Sequence, residues 1–304
     1  MSVTGTPLPR FSLCLLALAL LSMRPAVADK PSSDELIDDI PPGVRLGVWV
    51  GRPDGTALLK RDADAKMPTA SSIKAALLIE LFAMHEKSLD APPESVVSIF
   101  SNAEHPAFVH YDRQERRQSR KALTDISVAA LGKQMIRVGD GPNKVYNGAA
   151  NVVIALLGGP EKATARIRKR NEQFAGHTVN RYMLADRNAT GDNTATAQSL
   201  AAVHAALARR EVEGLEPKTI ERLRNVLLLS KDKSGTSHYF KGGSLGTDPV
   251  TYVRAGWWEG ERPTVVYALM GAADPESDTK VDAKTLEEYV TQMESRIQKR
   301  YFDN

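Results

Sequence analysis

The chain has 304 residues, of which 42% are hydrophobic and 25% charged, with 21 Gly and 17 Pro. This composition is typical of an ordinary globular protein and excludes a collagen-like chain, a disordered tail and a disulfide-stapled miniprotein. A formal net charge of +3 is too small to indicate nucleic acid binding, which usually needs a concentrated basic face.

The first predicted element is an export signal. Arg10 precedes the 13-residue apolar run FSLCLLALALLSM, and an Ala-Val-Ala sequence ending at Ala28 follows. A basic residue, a short apolar core and an A-x-A site, in this order, are typical of a secretory signal peptide. We therefore expect residues 1–28 to be a signal peptide and the mature protein to be periplasmic or secreted, with no stable membrane anchor. The single cysteine, Cys14, lies in the signal, so the mature chain has no thiolate nucleophile.

Strand patterns occur at both ends of the mature chain, and helical patterns lie between them. A hairpin is predicted at the start, because short β-prone runs at 45–51 and 56–61 flank a Pro-Asp-Gly turn. The helical patterns cover 71–85, 123–136, 149–157, 161–170, 197–208 and 218–229. Strand patterns return at 237–241, 250–258 and 263–271, and a last amphipathic helix covers 283–301.

These elements predict an α/β (α+β) fold. No repeating strand–helix–strand rhythm is present, so the hairpin and the three late strands are expected to share one five-stranded antiparallel sheet flanked by helices. The mature domain, 29–304, then has a sheet part of about 29–66 and 230–304. An all-α subdomain of about 67–229 is inserted between the two.

Ser71 and Lys74 form the first candidate for chemistry. On a helix beginning at Ser71 they share one face, because positions i and i+3 are neighbours. A serine hydroxyl is a weak nucleophile that needs an adjacent base. A lysine on an almost wholly apolar helix is readily desolvated, which lowers its pKa and suits it to that role. The alternative is a serine N-cap followed by a surface lysine.

Two further motifs come later in the chain. Asn147 lies in the sequence VYNGAAN, and Lys241 begins the sequence KGGS on a predicted strand. A lysine and two glycines on a strand would let a substrate lie against the sheet edge beside an ammonium group. Taken singly, each motif has a structural alternative. Asn147 could be an ordinary asparagine at the start of a helix, and the KGGS sequence could be a glycine-rich turn. The six histidines show no metal-ligand spacing, so neither a metal nor a cofactor is predicted.

Taken together, the three motifs resemble a known family. The order S-x-x-K, then an asparagine opening A-A-N-x-x-x-x-L-x-G-G-P, then K-G-G on a late strand is similar to the class A β-lactamases and the wider penicillin-recognising serine hydrolases. The resemblance implies a β-lactamase-like fold with the active site between the sheet and the helical insertion. It also implies that Ser71 is the acylated nucleophile, that Lys74 accepts its proton and that Asn147 holds the substrate amide.

The same resemblance assigns roles on the late strand. Lys241 would attract the substrate carboxylate and support proton transfer, and Gly243 and Ser244 would bind the substrate. The backbone amides of Ser244 and Ser71 would form the oxyanion hole.

Two positions depart from the family pattern in the groups that bind substrate and move protons. Val145 stands where the family has the serine of its S-D-N motif, so that hydroxyl shuttle is missing, and Tyr146 is the predicted substitute. Gly242 replaces a Ser or Thr that helps to bind the carboxylate. Arg254 on the next strand is the predicted compensation, and the alternative is that it is a solvated charge at the strand edge.

A third departure lies in the loop from about 181 to 197. The family carries there a glutamate that activates the deacylating water, and this loop has none. Asp186 is a carboxylate in this loop. It is predicted either to have a catalytic role or, as the alternative, to form a salt bridge that anchors the loop. Without a placed base, hydrolysis of an acyl-enzyme would be slow.

The expected function is that of an exported serine hydrolase that forms an acyl-enzyme with a β-lactam or a related amide or ester. The alternative is a penicillin-binding or sensor-like protein that is acylated once or binds cell-wall peptides without turnover. In both cases the partner is a small molecule or cell-wall peptide rather than a nucleic acid, and the protein is expected to be a monomer.

Overall fold

The computed structural model describes Met1 and residues 36–37, 39–137 and 142–303. Apart from Met1, the predicted signal segment 1–28 therefore lies outside the described residues. Residues Ser33–Asn304 form one compact unit. Among the described residues, no helix combines the length and the apolar character needed to cross a membrane.

Strands from both ends of this unit form one antiparallel sheet in the order β2-β1-β9-β8-β6-β5, with β7 also paired to β8. A separate two-stranded ribbon joins β3 to β4. The strands are β1 (Val44–Gly51), β2 (Ala57–Arg61), β3 (Met67–Pro68), β4 (Thr194–Ala195), β5 (Leu228–Lys231), β6 (Ser237–Phe240), β7 (Gly243–Leu245), β8 (Thr251–Glu259) and β9 (Val265–Ala273).

Ten helices surround or extend the sheet in the described part of the chain. They are α1 (Lys74–Met84), α2 (Ser95–Ser101), α3 (Arg113–Leu123), α4 (Val128–Ile136), α5 (Asn143–Leu156), α6 (Pro160–Arg170), α7 (Arg187–Thr190), α8 (Ala197–Arg209), α9 (Pro217–Leu227) and α10 (Ala283–Tyr301). Helix α8 packs on β8, β9 and β1, and α10 packs on β8 and β9. Because helices cover both faces, the central strand β9 is an almost continuous apolar run.

The predicted fold class is confirmed, and the sheet has two more strands than predicted. The predicted strand at 237–241 ends at Phe240, and Gly243–Leu245 pairs separately with β8. The predicted helix at 218–229 stops at Leu227, because Leu228 takes an extended backbone conformation and pairs with Tyr239 on β6. Backbone pairing with a distant strand therefore overrides the local helical pattern here.

Helix α1 is the centre of the helical part of the molecule. It packs against α4, α5, α6 and α9, which explains why its sequence is apolar almost all round. Its one carboxylate, Glu80, has 3% of its side chain exposed and accepts two hydrogen bonds from Arg170 on α6, at 2.8 and 3.1 Å.

This pair gives a stability prediction. Replacing Arg170 with alanine leaves the Glu80 carboxylate buried without its charge partner, which should lower the free energy of unfolding by about 3 kcal/mol. Urea denaturation at neutral pH measures the change. Arg222→Ala is the matched control, because its partner Asp90 is 82% exposed, and this variant should unfold almost as the parent does. Equal losses in the two variants would contradict the argument.

Candidate active site

A cavity of about 620 Å³ opens where the start of α1, the start of α5, the loop 181–193 and strand β7 meet. Its lining residues are Ala70, Ser71, Asn143, Tyr146, Asn147, Arg181, Met183, Leu184, Ala185, Asp186, Arg187, Asp192, Asn193, Lys241, Gly242, Gly243, Ser244 and Leu245. Of the sequence-predicted site residues, Ser71, Tyr146, Asn147, Lys241, Gly243 and Ser244 line this cavity. Lys74 is not among the lining residues but bonds Asn147, which is one of them, and Arg254 does not line the cavity.

Ser71 lies on a 3-10 turn, Ala70–Ile73, that leads into α1. The α-helix itself begins at Lys74, three residues later than the sequence pattern predicted. Ser71 is not an N-cap, because the residue at the N-cap position of this turn is Thr69. The neighbouring Ser72 hydroxyl donates to the Thr69 carbonyl at 2.7 Å. Ala70 has a φ of 46°, a backbone conformation that is unusual for a residue other than glycine and that is often found at functional sites.

Lys74 is wholly buried, so the alternative of a surface lysine is wrong. Its Nζ donates to Asn147 Oδ1 at 3.0 Å and lies 3.3 Å from the centroid of the Tyr146 ring. Burial, aided by the charge of Lys241, lowers the pKa of Lys74 well below its usual 10.5. Among the described residues Asn147 Oδ1 is its one hydrogen-bond acceptor, and no hydrogen bond joins Nζ to the Ser71 hydroxyl there.

Helix α5 presents its asparagines to the site with a regular spacing. Asn147 Nδ2 donates to the carbonyl and to Oδ1 of Asn143, one turn earlier, at 3.2 and 3.0 Å. These bonds fix the amide so that its oxygen faces Lys74. One turn later, Asn151 is fully buried and bonds the loop at Met183, accepting from its N–H at 2.6 Å and donating to its carbonyl at 3.1 Å. Sequence reasoning missed Asn143 and Asn151, although the i, i+4, i+8 spacing with Asn147 was available as a signal.

Val145 and Tyr146 take different places at the start of α5. Val145 packs in the hydrophobic core, so it offers nothing to the cavity. Tyr146 lines the cavity, and its ring centroid lies 3.3 Å from Lys74 Nζ and 5.5 Å from Lys241 Nζ. Tyr146 therefore meets both lysines through its aromatic face.

The strand motif lies across the cavity from α5. Lys241 is 7% exposed, and its Nζ donates to the Gly242 carbonyl at 2.8 Å. At Gly242 a Cβ atom would lie 2.5 Å from the Phe240 ring and 2.6 Å from the Val253 carbonyl, so this position has no room for the family's hydroxyl residue. At Gly243 a Cβ would lie 2.2 Å from the backbone nitrogen of Ser71.

The close approach of Gly243 to Ser71 is testable. In Gly243→Ala the new methyl group would push against the backbone of the 3-10 turn, which cannot yield as a flexible side chain can. We expect the acylation at Ser71 that the family resemblance implies to slow about 100-fold or more, because small displacements of reacting groups cost this much. The matched control is Gly246→Ala, since a Cβ there meets nothing within 4 Å. The rate of adduct formation, followed by intact-protein mass, compares the two variants. Equal rates would show that this contact is not needed.

Arg254 is a correction to the predicted site. Its side chain projects from β8 toward α10, where Nε pairs with the Glu294 carboxylate, and its guanidinium carbon lies 4.4 Å from the Phe240 ring centroid. Neighbouring residues of a strand point to opposite faces, and this face belongs to the α10 layer rather than to the cavity. Arg254 therefore does not compensate for Gly242 at the substrate.

The loop 181–193 forms the remaining wall and corrects the interpretation of Asp186. Asp186 is exposed and caps α7 by accepting from the Asn188 N–H at 2.9 Å. The loop is instead anchored by Asp192, whose carboxylate lies 2.6 Å from Arg181 Nη2. The loop section held by Asn151 places Met183 and Leu184, two apolar side chains, on the cavity wall. Both cavity-lining carboxylates of the described chain are thus already engaged. Within that part of the chain there is also no group of three or more His, Cys, Asp or Glu residues that could hold a metal ion.

Comparison with known proteins gives a family. The profile of a family described as "Beta-lactamase enzyme family" matches residues 34–260. No curated protein sequence matches the chain.

Solved structures with similar folds include three β-lactamases. A β-lactamase from Sphaerobacter thermophilus aligns with a TM-score of 0.63 at 16% identity, covering 88% of this chain and 95% of that chain. A class A representative from Bacteroides cellulosilyticus gives 0.66 at 14% identity, covering 90% and 96%. A class A β-lactamase from Mycobacterium abscessus gives 0.59 at 19% identity, covering 87% and 96%. At these identities the likeness establishes the fold alone.

Proposed function

Because the chain belongs to the beta-lactamase enzyme family, we propose that it is an exported serine hydrolase that is acylated on Ser71 by a β-lactam or a related amide or ester. The observation that carries this proposal is the position of Lys74. A wholly buried lysine with a strongly lowered pKa, one helical turn from a cavity-lining serine, is costly unless it is used.

In the proposed acylation, neutral Lys74 accepts the proton of the Ser71 hydroxyl as Oγ attacks the substrate carbonyl. Lowering the pKa of Lys74 raises the fraction of neutral amine at neutral pH, which is the form that can accept a proton. The backbone amides of Ser71 and Ser244 would bind the developing oxyanion. Lys241 would bind the substrate carboxylate, and Asn147 would hold the substrate amide.

The second candidate function is a protein that is acylated once and deacylates slowly, as penicillin-binding and sensor-like proteins do. The loop wall supports this candidate, because Asp186 caps a helix, Asp192 pairs with Arg181, and Met183 and Leu184 are apolar. No base is then placed to activate the water that would hydrolyse the ester at Ser71.

Intact-protein mass after mixing the mature chain with a penicillin tests both candidates. The expected result is an adduct of one penicillin per chain that persists for many minutes and is absent in Ser71→Ala. An adduct that disappears while penicillin is consumed would identify a turning-over β-lactamase and reject the single-acylation candidate. No adduct and no hydrolysis with penicillin or with an activated ester would reject acylation at Ser71.

We also propose that the protein is periplasmic or secreted, as a monomer. The segment ending at Ala28 supports export. The amino-terminal sequence of the protein collected from the periplasm or the medium should begin at Asp29. Retention of residues 1–28 in cytoplasmic material would reject the proposal.

A further inference from the structure

Two groups on consecutive positions of α5 contact the side-chain nitrogen of Lys74. Asn147 Oδ1 accepts a hydrogen bond from Nζ at 3.0 Å, and the centroid of the Tyr146 ring lies 3.3 Å from Nζ. Lys74 is wholly buried and Tyr146 is 5% exposed, so water weakens the contact between them little. Lys74 forms no salt bridge in the described part of the chain, where the carboxylates that line the cavity are engaged elsewhere. The aromatic ring therefore lies beside this lysine where an anion could otherwise lie.

The proposed acylation, on which this inference rests, places a positive charge on this nitrogen. The Ser71 Oγ–H bond breaks, and its proton bonds to the lone pair of Lys74 Nζ. The Oγ electron pair forms the bond to the substrate carbonyl carbon, whose π pair moves to the carbonyl oxygen. Lys74 thus changes from an amine to an ammonium ion where burial and the charge of Lys241 both disfavour the ion. A group that stabilises the ion more than the amine lowers the barrier of this step.

The ring of Tyr146 has the chemistry of such a group. The face of an aromatic ring carries a negative electrostatic potential, which attracts a cation within about 6 Å of the centroid, most strongly where water is excluded. Lys241 Nζ lies 5.5 Å from the same centroid, so the ring also offsets part of the repulsion between the two lysines. The Tyr146 hydroxyl forms no hydrogen bond with either lysine in the described structure.

We propose that the aromatic face of Tyr146 stabilises the positive charge that Lys74 acquires during acylation, and that the Tyr146 hydroxyl is not required for this step. Tyr146 then acts directly on a reacting atom, through its ring and not as the hydroxyl shuttle that the sequence predicted. An aromatic face cannot take a proton from water, so the site holds the charge of Lys74 without gaining a base for deacylation. The proposal therefore agrees with the slow deacylation of the second candidate function.

Substitutions at position 146 separate the hydroxyl from the ring. Tyr146→Phe should be acylated by penicillin at a rate within about 2-fold of the parent, because the ring is kept. Phenylalanines of increasing fluorine content, introduced at position 146 by nonsense suppression, keep the shape of the ring but withdraw its negative potential. The rate of adduct formation at Ser71, followed by intact-protein mass, should fall progressively, by about 10-fold for the most fluorinated ring.

Tyr111 offers the matched control. It is 7% exposed, its ring centroid lies 5.1 Å from Lys144 Nζ, and it does not line the cavity. The same fluorinated residues at position 111 should leave the acylation rate unchanged. Equal losses at positions 111 and 146 would assign the effect to packing and overturn the inference.

The resting protein gives a second measurement, which does not depend on acylation. NMR of protein with isotopically labelled lysine follows the titration of Lys74, whose signal is identified by its absence in Lys74→Met. Because fluorination destabilises the ammonium ion, the pKa of Lys74 should fall further, by about one pH unit for the most fluorinated ring. It should stay unchanged in Tyr146→Phe.

A Tyr146→Phe protein that is slowed as much as the most fluorinated one would assign the role to the hydroxyl and overturn the inference. An acylation rate and a Lys74 titration that do not respond to fluorine would also overturn it. In both cases an adduct that depends on Ser71 leaves the proposed function standing. A parent that forms no adduct with penicillin or with an activated ester, while the Lys74 titration still shifts, removes the proposed function and with it this role of the ring.

Discussion

Replacing Lys74 with methionine should greatly slow acylation of Ser71 and at the same time stabilise the fold. The acylation rate should fall by about 10²–10⁴-fold, the usual contribution of a positioned base. The free energy of unfolding should rise by about 1 kcal/mol or more, because methionine has a similar length and carries no charge to desolvate in this buried position. The opposite signs arise because the site keeps a buried lysine for its chemistry at a cost in stability.

Adduct formation by intact mass and urea denaturation measure the two effects of Lys74→Met. Lys66→Met is the control, because Lys66 is exposed and lies outside the cavity, and neither quantity should change much. A Lys74→Met protein that is both inactive and strongly destabilised would indicate that this lysine is structural, held for its bonds to Asn147 and the Tyr146 ring.

Acidification should destabilise the protein progressively between about pH 6.5 and pH 4. Burial lowers the pKa of His177 to about 4 and that of His204 to about 3. Burial, with the nearby charge of Arg254, lowers that of His238 to about 4. In the described structure neither ring nitrogen of His204 has a hydrogen-bond partner.

The direction of the change in stability with pH follows from where the histidines bind protons more readily. With a pKa of about 6.5 in the unfolded chain, each histidine binds a proton more readily when unfolded. Its stabilising effect is therefore complete above pH 6.5 and is lost as the pH falls toward 4. At pH 4.5 we expect each of these three histidines to lower the free energy of unfolding by about 2 kcal/mol relative to pH 7. Urea midpoints between pH 7 and pH 4.5 measure this.

His204→Phe tests the assignment to a residue. Phenylalanine fills the space beside Trp257 without a titrating group, so this variant should lose part of the pH dependence. His105→Gln is the control, because this half-buried histidine should contribute far less, and its variant should keep the parent slope. A His204→Phe protein with the full parent pH dependence would contradict the prediction.

The sequence indicated the general arrangement through local patterns. Alternation and turn residues predicted the β1–β2 hairpin, and the all-round apolar run predicted the buried helix α1. Motif order grouped Ser71, Lys74, Asn147 and Lys241, and the structure brings these four residues together at one cavity. The hairpin and the helix depend on residues that are close together in the chain. The grouping of the four site residues depends only on the order of the motifs, which can be read from a single sequence.

Features that depend on distant partners could not be predicted in this way. Arg254 has the right charge and the right strand for a substrate contact, and only α10 supplies the Glu294 that turns it away from the cavity. The sequence analysis offered Asp186 as the residue that anchors the loop, and the position of Arg181 shows that Asp192 anchors it instead.

By itself, then, the sequence determined the family, the helical and strand segments and the set of reactive residue types. The tertiary structure decided which face each reactive side chain presents. Tyr146 was predicted as a source of a hydroxyl, but the packing of α5 turns its ring toward Lys74. Gly242 was noted as a missing hydroxyl, and only the folded sheet shows that Phe240 fills the space. Local pattern determines where a residue lies along an element, whereas burial and packing between elements determine what its atoms touch.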